Sequence, residues 1–582
     1  MKTAHYLPPS RQSGYAIMVV MCFLAVGTLM LAGILSWCSH QAVQVERNNH
    51  YNQTLAAAEG ATEKVLAQIS KDFQTAGEGL VYAHLSSYQA TVPTAAESAY
   101  WGGYQFSDSE GNVGQTKVLR INPEQQTIMN SQYQGLYGLA ASYEVSSRAR
   151  DVAGVVDVAA AVRQTVQVAT IPIFQFAIFY AVDLEIHPGA NMTIMGRVHS
   201  NSRLFTTPNT GVTLTYNSHA TSADKMLIYG KKDGDLRNLA NHGTAVFKGE
   251  KDENVSSLTL PIGTSNSPDD VYKILEIPPV GEQASSVLGQ QRYCNKADVV
   301  IKVTDTTVTA TSGAYNNFGT TIAAATASNF VNTAKTFYNG REDKIVKTTE
   351  INVAAFKTWA EAGGNPVKAL TGRVPSSIYV ADLRSQTSST ESGVRLVNGQ
   401  TLPSQGLTVA TPNPLYVQGH YNAPAAVLGK LDTTGTKPAS LVGDAIMILS
   451  TAWTDSANAT KSLGNNHTAN ETTVNAALLG GIVETKVRES GTKEGYSGGV
   501  ENFPRFLENW SNKTITYNGS MVVMFYSKKA TGWWSGTGTY YTPPKRNWAF
   551  DVNFLDATKL PPGTPQVRSM IRGEWATLGA GS

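Results

Sequence analysis

Residues 15–38 of this 582-residue chain read YAIMVVMCFLAVGTLMLAGILSWC and contain no charged side chain. About 20 apolar residues, each rising 1.5 Å, suffice for a helix to cross the hydrocarbon core of a bilayer. Lys2 and Arg11 precede this stretch, and the first charges after it are Glu46 and Arg47. Because cytoplasmic flanks carry the excess of positive charge, we expect residues 1–14 in the cytoplasm and the rest of the chain beyond the membrane.

The apolar stretch is also predicted to continue as a longer helix. A cleaved signal peptide is the competing interpretation, but its apolar region usually spans about 7 to 15 residues, whereas this one runs through Trp37 and Cys38. Residues 40–73 contain no helix breaker apart from Gly60, which a helix tolerates at a cost of about 1 kcal/mol. The pattern therefore predicts one continuous helix over residues 15–73.

The order of elements at this end of the chain resembles a known class of proteins. A short hydrophilic leader, the sequence SGYA at 13–16, the apolar helix and the stretch AAE at 57–59 are similar to class III signal proteins, namely type IV pilins and type II secretion pseudopilins. The AAE stretch most resembles minor pilins of the PilX type. The resemblance covers about the first 75 residues. It implies that a prepilin peptidase cuts after Gly14 and leaves Tyr15 as the new N-terminus.

One position departs from that family pattern. Pilins of the filament shaft usually carry Glu at the fifth mature position, where it neutralises the N-terminal amine of a neighbouring subunit, and this chain has Val19 there. The resemblance thus implies a subunit at the filament tip, with the helix face around Val19 and Glu59 contacting other pilin-like subunits. The residues alone leave open a plain single-pass anchor in which Gly14 has no special role.

Composition predicts that the rest of the chain is mainly β structure. The chain has 51 glycines, only 15% charged residues and a formal net charge of +2, so nothing in its charge drives it towards nucleic acid. Three cysteines cannot form a disulfide framework. We therefore expect an α+β fold, mainly β, with a long N-terminal transmembrane helix.

The domain organisation follows from changes in pattern along the chain. Short β runs with glycine or asparagine at their corners are typical of β-solenoid rungs, while longer alternating runs indicate antiparallel strands. The predicted parts are a leader (1–14), the transmembrane and pilin-like helix (15–73), a small pilin-like α+β module (74–170), the first part of a β-solenoid-like body (171–206), an inserted α/β subdomain (207–400) and the second part of the body with an aromatic-rich C-terminal region (401–582).

Nothing in the sequence indicates catalysis, a metal or a cofactor. The histidines show no metal-binding spacing, and phosphate-loop and HExxH motifs are absent from the sequence. We expect His187, His199 and His420 to be structural, and Asp432 and Asp444 to form turns. The sequence therefore predicts a non-enzymatic protein without metal or cofactor.

A group of aromatic residues near the C-terminus is the main candidate binding site. Exposed aromatic faces stack on sugars or anchor protein partners, although the same rings could instead pack as a cap over the end of the body. The residues are Trp510, Trp533, Trp534, Tyr540, Tyr541 and Trp548.

Together these features predict a minor pilin-like or pseudopilin-like structural subunit of a type IV pilus or type II secretion-like filament. Its expected partners are inner-membrane lipid, prepilin peptidase, other pilin-like subunits and a surface glycan or protein. It is expected in the cytoplasmic membrane, with its body in the periplasm or on an extracellular filament. The alternative is a membrane-tethered β-solenoid that binds or cleaves glycans.

Overall fold

The computed structural model describes residues 15–129, 133–154, 158–238, 240–314, 317–456, 468–487, 495–534 and 538–579. Its first element is helix α1, Tyr15–Ala76, which confirms the predicted uninterrupted helix. At 1.5 Å per residue, its 62 residues extend about 90 Å. The helix ends where Gly77 adopts a φ of 81°, a conformation that residues with a Cβ disfavour.

An antiparallel sheet packs against the second half of α1. The elements that follow α1 are α2 (Glu78–Ala83), α3 (Leu85–Gln89), β1 (Tyr104–Ser107), β2 (Lys117–Ile128), β3 (Tyr137–Asp151) and β4 (Ala159–Pro172). β3 pairs with β1, β2 and β4, all antiparallel. Val65, Ile69 and Phe73 of α1 share a buried cluster with Tyr143 and Val145 of β3. Burial of this apolar stripe holds the helix on the sheet.

Short strands then stack in parallel. They are β5 (Ile178–Tyr180), β6 (Leu184–Ile186), β7 (Met192–Ile194), β8 (Val198–Ser200), β9 (Leu204–Thr206), β10 (Thr213–Tyr216), β11 (Ala220–Ser222), β12 (Met226–Ile228), β13 (Thr244–Phe247) and β14 (Lys251–Asp252). Every third strand returns to the same sheet, so that Ile178 lies beside Val198, and Val198 beside Ala220. Strands of three or four residues are stable only because each stacks on the next.

The middle of the chain crosses to the far end of the body. Its elements are α4 (Pro268–Tyr272), α5 (Tyr293–Lys296), β15 (Val299–Val303), β16 (Val308–Ala314), β17 (Asn317–Ile322), α6 (Ala324–Ala327), β18 (Val331–Asn332), β19 (Thr336–Asn339), β20 (Lys344–Asn352), α7 (Val353–Glu361) and α8 (Pro366–Thr371). The alternating residues at 297–313 predict a hairpin, and residues 351–364, which end in Gly-Gly, predict a helix. The structure pairs β15 with β16 antiparallel and places α7 within the second stretch.

From there the chain winds back towards its starting point. The strands are β21 (Ser377–Asp382), β22 (Thr390–Val397), β23 (Leu407–Ala410), β24 (Leu415–Gln418), β25 (Ala439–Gly443), β26 (Ile446–Leu449), β27 (Thr472–Asn475), β28 (Ala477–Gly480), β29 (Arg505–Phe506), β30 (Thr514–Gly519), β31 (Met521–Val523), β32 (Lys545–Phe550) and β33 (Gln566–Leu578). All residues of β25, β26 and β28 are buried. Burial on both faces is the environment of strands in a covered parallel sheet.

The two windings meet in the middle of one long sheet. β31 pairs in parallel with β5, with Met521 beside Ile178. The sheet order is β14-β11-β8-β5-β31-β28-β25-β23-β21-β15-β16-β17. The first strand of the body, β5, therefore lies inside the sheet, and β8, β11 and β14 extend from it to one edge. The strands from β15 onwards begin near the opposite edge, and β21, β23, β25, β28 and β31 follow in order back to β5.

This order corrects the predicted inserted subdomain at 207–400. β10 to β14 continue the first winding, and β15 and β21 lie within the long sheet. The buried apolar residues of this region, such as Val299, Val346 and Val394, belong to the same cluster as Ile178 and Leu478. The region has no separate core because its short runs bury their faces only against the rest of the body.

The C-terminal strand leaves the body and completes the N-terminal sheet. β33 pairs antiparallel with β4, with Val567 beside Ile171. The guanidinium of Arg568 donates to the carbonyl oxygens of Phe73 and Gln74, both at 3.0 Å, at the end of α1. These contacts link the helix to the last described strand of the chain.

Candidate functional site

Within the described residues, nothing packs over the first half of α1. Residues 15–49 are exposed throughout, including Tyr15 and Val19. They include a stretch that is apolar and long enough to cross a membrane. Exposed apolar patches on soluble proteins seldom exceed a few hundred Å². A helix of this character therefore needs lipid or other apolar helices around it. Gly14 lies outside the described residues.

Further along α1, small residues let the helix approach the sheet closely. Ala57, Ala58 and Ala61 are fully buried, and Ser147 of β3 donates to the carbonyl oxygen of Ala58 at 2.6 Å. Glu59 is half-buried at the edge of this contact. The AAE stretch thus faces the chain's own sheet through its alanines, while Glu59 stays within reach of solvent and of a neighbouring molecule.

The aromatic candidates are mostly packed into the body. Trp510, Tyr540 and Tyr541 are buried, whereas Trp533, Trp534 and Trp548 are half-buried. The ring of Trp510 packs edge-on against Phe506 with centroids 5.4 Å apart, and the indole nitrogen of Trp534 donates to the hydroxyl of Tyr541 at 2.9 Å. The buried rings have no free face, which agrees with the packed alternative rather than with an exposed platform.

Trp548 differs from the others because it lines a cleft. The cleft has a volume of about 660 Å³ and lies beside β7 and β32, with Met192, Arg546 and Phe550 among its lining residues. The guanidinium carbon of Arg546 lies 5.3 Å from the centroid of the Trp548 ring. Within the described residues, the buried indole nitrogen of Trp548 has no hydrogen-bond partner. An aromatic face beside a cation suits a polar ligand with an apolar face.

Asp432 and Asp444, the two aspartates considered in the sequence, have structural roles. Asp444 is fully buried and accepts hydrogen bonds from the hydroxyl of Tyr272 at 2.8 Å and from the backbone N–H groups of Lys528, Lys529 and Ala530 at 2.7 to 3.1 Å. Asp432 is exposed and accepts from the backbone N–H of Thr434. The two residues are not brought together, and each organises a turn, as predicted.

One group of potential ligands was not predicted from the sequence. The side chains of Glu185, His187 and Asp235 are buried, and one ligand atom from each lies within 4.8 Å of the others. Glu185 and His187 are two residues apart at the end of β6, a spacing that places both on one side of a strand. Asp235 lies 48 positions beyond His187 in the chain, so no local motif could join it to them.

Comparison with known proteins finds a distant structural likeness. No protein-family model matches the sequence, and no curated protein is similar to it. Among solved structures, the competence-associated pilin ComZ from Thermus thermophilus aligns over 91% of this chain and 97% of its own, with 10% identity and a TM-score of 0.28. A likeness at that TM-score does not establish a shared fold.

Proposed function

We propose that this chain is a minor subunit of the PilX type in a type IV pilus or type II secretion-like filament. The observation that carries the proposal is the division of α1 into two halves. One half is apolar and fully exposed, and the other packs on an antiparallel sheet. The free half supplies a membrane anchor before assembly and a contact surface for other helices afterwards.

The dimensions of α1 support this role. The exposed residues 15–49 extend about 50 Å at 1.5 Å per residue, which exceeds a hydrocarbon core of about 30 Å. The charge bias of the flanks favours a cytoplasmic N-terminus and a body in the periplasm or on an extracellular filament. Without a carboxylate at Val19, the subunit would leave a neighbour's amine above it unpaired, which favours a tip position.

The body is proposed to be a recognition or scaffold module without enzymatic activity. Its strands β5 to β14, in which every third strand returns to the same sheet, support a solenoid-like description. Proposed partners are inner-membrane lipid, a prepilin peptidase and other pilin-like subunits. The body would be carried outside the membrane by α1.

The test is the mass of the full chain extracted from membranes of cells with and without prepilin peptidase. We expect a chain beginning at Tyr15 only in cells with the peptidase. Gly14→Leu should leave the leader attached although the protein still inserts, because the apolar helix drives insertion. Gly27→Leu, a change inside the exposed helix, should be processed normally. An intact Met1 in both cell types, or a start near Ser39, would refute the pilin-like assignment.

The cleft beside β32 favours a second candidate function, the binding of a surface glycan. Among its described lining residues only Glu501 carries a carboxylate, whereas most glycosidases use a pair. Binding is therefore favoured over cleavage. Trp548→Ala should abolish retention of the protein on the polysaccharides that retain the wild type. Trp575→Ala, at a ring that is 47% exposed but outside the cleft, is the matched control. Equal loss in both variants would refute a role for the cleft.

A further inference from the structure

A buried cluster of polar atoms lies where the end of β6 meets the segment between β12 and β13. Glu185, His187 and Asp235 are 2%, 3% and 1% exposed, and one ligand atom of each lies within 4.8 Å of the other two. Glu185 is part of β6, His187 follows that strand, and Asp235 comes from the connecting segment. Carboxylate and imidazole groups held this close out of water require a compensating partner.

The protonation of His187 leaves one of its ring nitrogens free. Nδ1 lies 3.2 Å from the carbonyl oxygen of Thr207. A carbonyl oxygen only accepts hydrogen bonds, so Nδ1 carries the proton and Nε2 keeps its lone pair. Within the described part of the chain, neither Nε2 of His187 nor Oε2 of Glu185 has a hydrogen-bond partner. A backbone carbonyl on the other nitrogen is also the usual support of a metal-binding histidine.

A second buried histidine, His199, differs from His187 in that both of its ring nitrogens have hydrogen-bond partners. His199 of β8 is fully buried, yet its Nδ1 lies 2.8 Å from the hydroxyl of Thr221 and its Nε2 lies 2.9 Å from the amide oxygen of Asn201. Both ring nitrogens therefore have protein partners. The free nitrogen of His187 is thus not a general property of buried histidines in this body.

The charges around the cluster leave room for a dication. Asp235 is paired with Arg237 at 2.6 Å, and Glu501 accepts a hydrogen bond from the backbone N–H of His187 at 2.8 Å. With Glu185 ionised, the carboxylates of Glu185, Asp235 and Glu501 outnumber the guanidinium of Arg237, while the guanidinium of Arg546 donates to the backbone carbonyl oxygen of Glu501 at 2.9 Å.

The neighbouring charges do not cancel this excess. Lys232 lies 3.2 Å from Asp183 and 2.8 Å from Glu484, and Arg203 lies 2.8 Å from Asp183. Two cations and two carboxylates balance within this adjacent group. Arg237 itself is held in place by the ring of Tyr496, whose centroid lies 3.6 Å from the guanidinium carbon.

We propose that Glu185, His187 and Asp235 form a binding site for a divalent transition metal ion, with Zn²⁺ as the favoured ion. One imidazole nitrogen and two carboxylate oxygens are donors that Zn²⁺ accepts at about 2.0 to 2.2 Å, and ligands of a tetrahedral site are about 3.4 Å apart. The three donor atoms now lie within 4.8 Å of one another, and small side-chain rotations would bring them to the spacing of a tetrahedral site. Water completes the coordination.

The bound ion would fasten the connecting segment to the sheet. Asp235 lies in the long connection between Ile228 and Thr244, whereas Glu185 and His187 belong to the stacked body. A metal bound only by the folded protein stabilises it by mass action. The site therefore has a structural role, and its three ligands come from the protein's interior rather than from the cleft.

The experiment uses the full chain purified in detergent, stripped with chelator and titrated with Zn²⁺ against a chromophoric competitor. We expect about one Zn²⁺ per chain, and visible absorption from Co²⁺ bound at the same site. His187→Ala should weaken binding by roughly 100-fold or more, because second-shell changes alone cost 10- to 100-fold. His199→Ala, at the satisfied histidine, should retain the metal.

A second variant separates metal binding from folding. Glu185→Gln keeps the size of the side chain and removes its charge, so it should stay folded by circular dichroism while losing Zn²⁺ affinity and the Co²⁺ spectrum. Zinc should raise the melting temperature of the wild type and of His199→Ala, but not that of Glu185→Gln. The proposal is overturned if the wild type binds no Zn²⁺, or if His187→Ala and Glu185→Gln bind it as tightly as the wild type.

Discussion

Replacing Arg568 should loosen the end of helix α1. Its guanidinium donates to the carbonyl oxygens of Phe73 and Gln74, both at 3.0 Å, in the last turn of the helix; the oxygen of Phe73 also accepts from the N–H of Gly77. A hydrogen bond from a charged group contributes about 1.5 to 3 kcal/mol when buried, and the side chain here is only half-buried. We therefore expect Arg568→Ala to destabilise the last turns of α1 by about 2 kcal/mol.

The same strand offers a matched control. Arg572 also contacts α1, where it forms a bidentate ion pair with Glu63, but both side chains are about half exposed. Exposed ion pairs contribute about 1 kcal/mol at most. Arg572→Ala should therefore have a small effect, although it removes the same type of residue from the same strand.

The assay is amide hydrogen exchange of the full chain in detergent, followed in peptides covering residues 61–77. A loss of about 2 kcal/mol corresponds to exchange that is roughly 30-fold faster where local opening controls it. Peptides from the free half of α1 should not change in either variant. Equal acceleration in Arg568→Ala and Arg572→Ala would refute the argument that burial and the helix end, rather than charge alone, set the strength of the contact.

Three further predictions concern the body. Asp444→Ala leaves several buried donors without an acceptor and should cost about 3 kcal/mol or more, seen as a lower melting temperature, whereas Asp432→Ala in an exposed turn should not shift it. Trp510→Ala should destabilise the body by about 3 to 5 kcal/mol through the cavity it creates, and wild-type stability in that variant would refute the buried position. Burial raises the pKa of Glu508 to about 7, against hydrogen bonds from Ser450, so the folded state binds a proton that the unfolded state releases near its ordinary pKa. The stabilisation that protonated Glu508 gives the folded state is complete below about pH 4.5 and is lost as the pH rises through about 7. The melting temperature of Glu508→Gln should therefore rise relative to that of the wild type between about pH 5 and 8. A constant difference between the two melting temperatures would contradict the raised pKa.

Local signals were sufficient for the helix and for several strands. The run from Tyr15 contains no breaker, and helix formation depends on hydrogen bonds four residues apart, so its length could be read directly from the chain. The hairpin of β15 and β16 and the helix α7 were also predictable, since turn residues and caps act over a few positions. The apolar anchor was likewise visible in composition alone, because lipid selects for length and lack of charge.

Strand partners were decided only by the tertiary structure. β5 pairs with β31 and β4 pairs with β33, and both pairings join segments more than 300 positions apart. Strands buried on both faces lose the alternation that would indicate a register, so nothing local distinguishes one neighbour from another. For this reason residues 207–400 were predicted as a separate subdomain, although their strands complete the same sheet.

The candidate sites divide in the same way. The sequence by itself determined that the chain carries a long helix with an apolar first half, because lack of charge and lack of helix breakers are local properties that add along the chain. Only the tertiary structure decided that Trp510 is buried, that Trp548 lines a cleft, and that Asp235 meets Glu185 and His187. Burial and proximity depend on how distant strands stack, and the free energy of that stacking comes from the whole body rather than from any one segment.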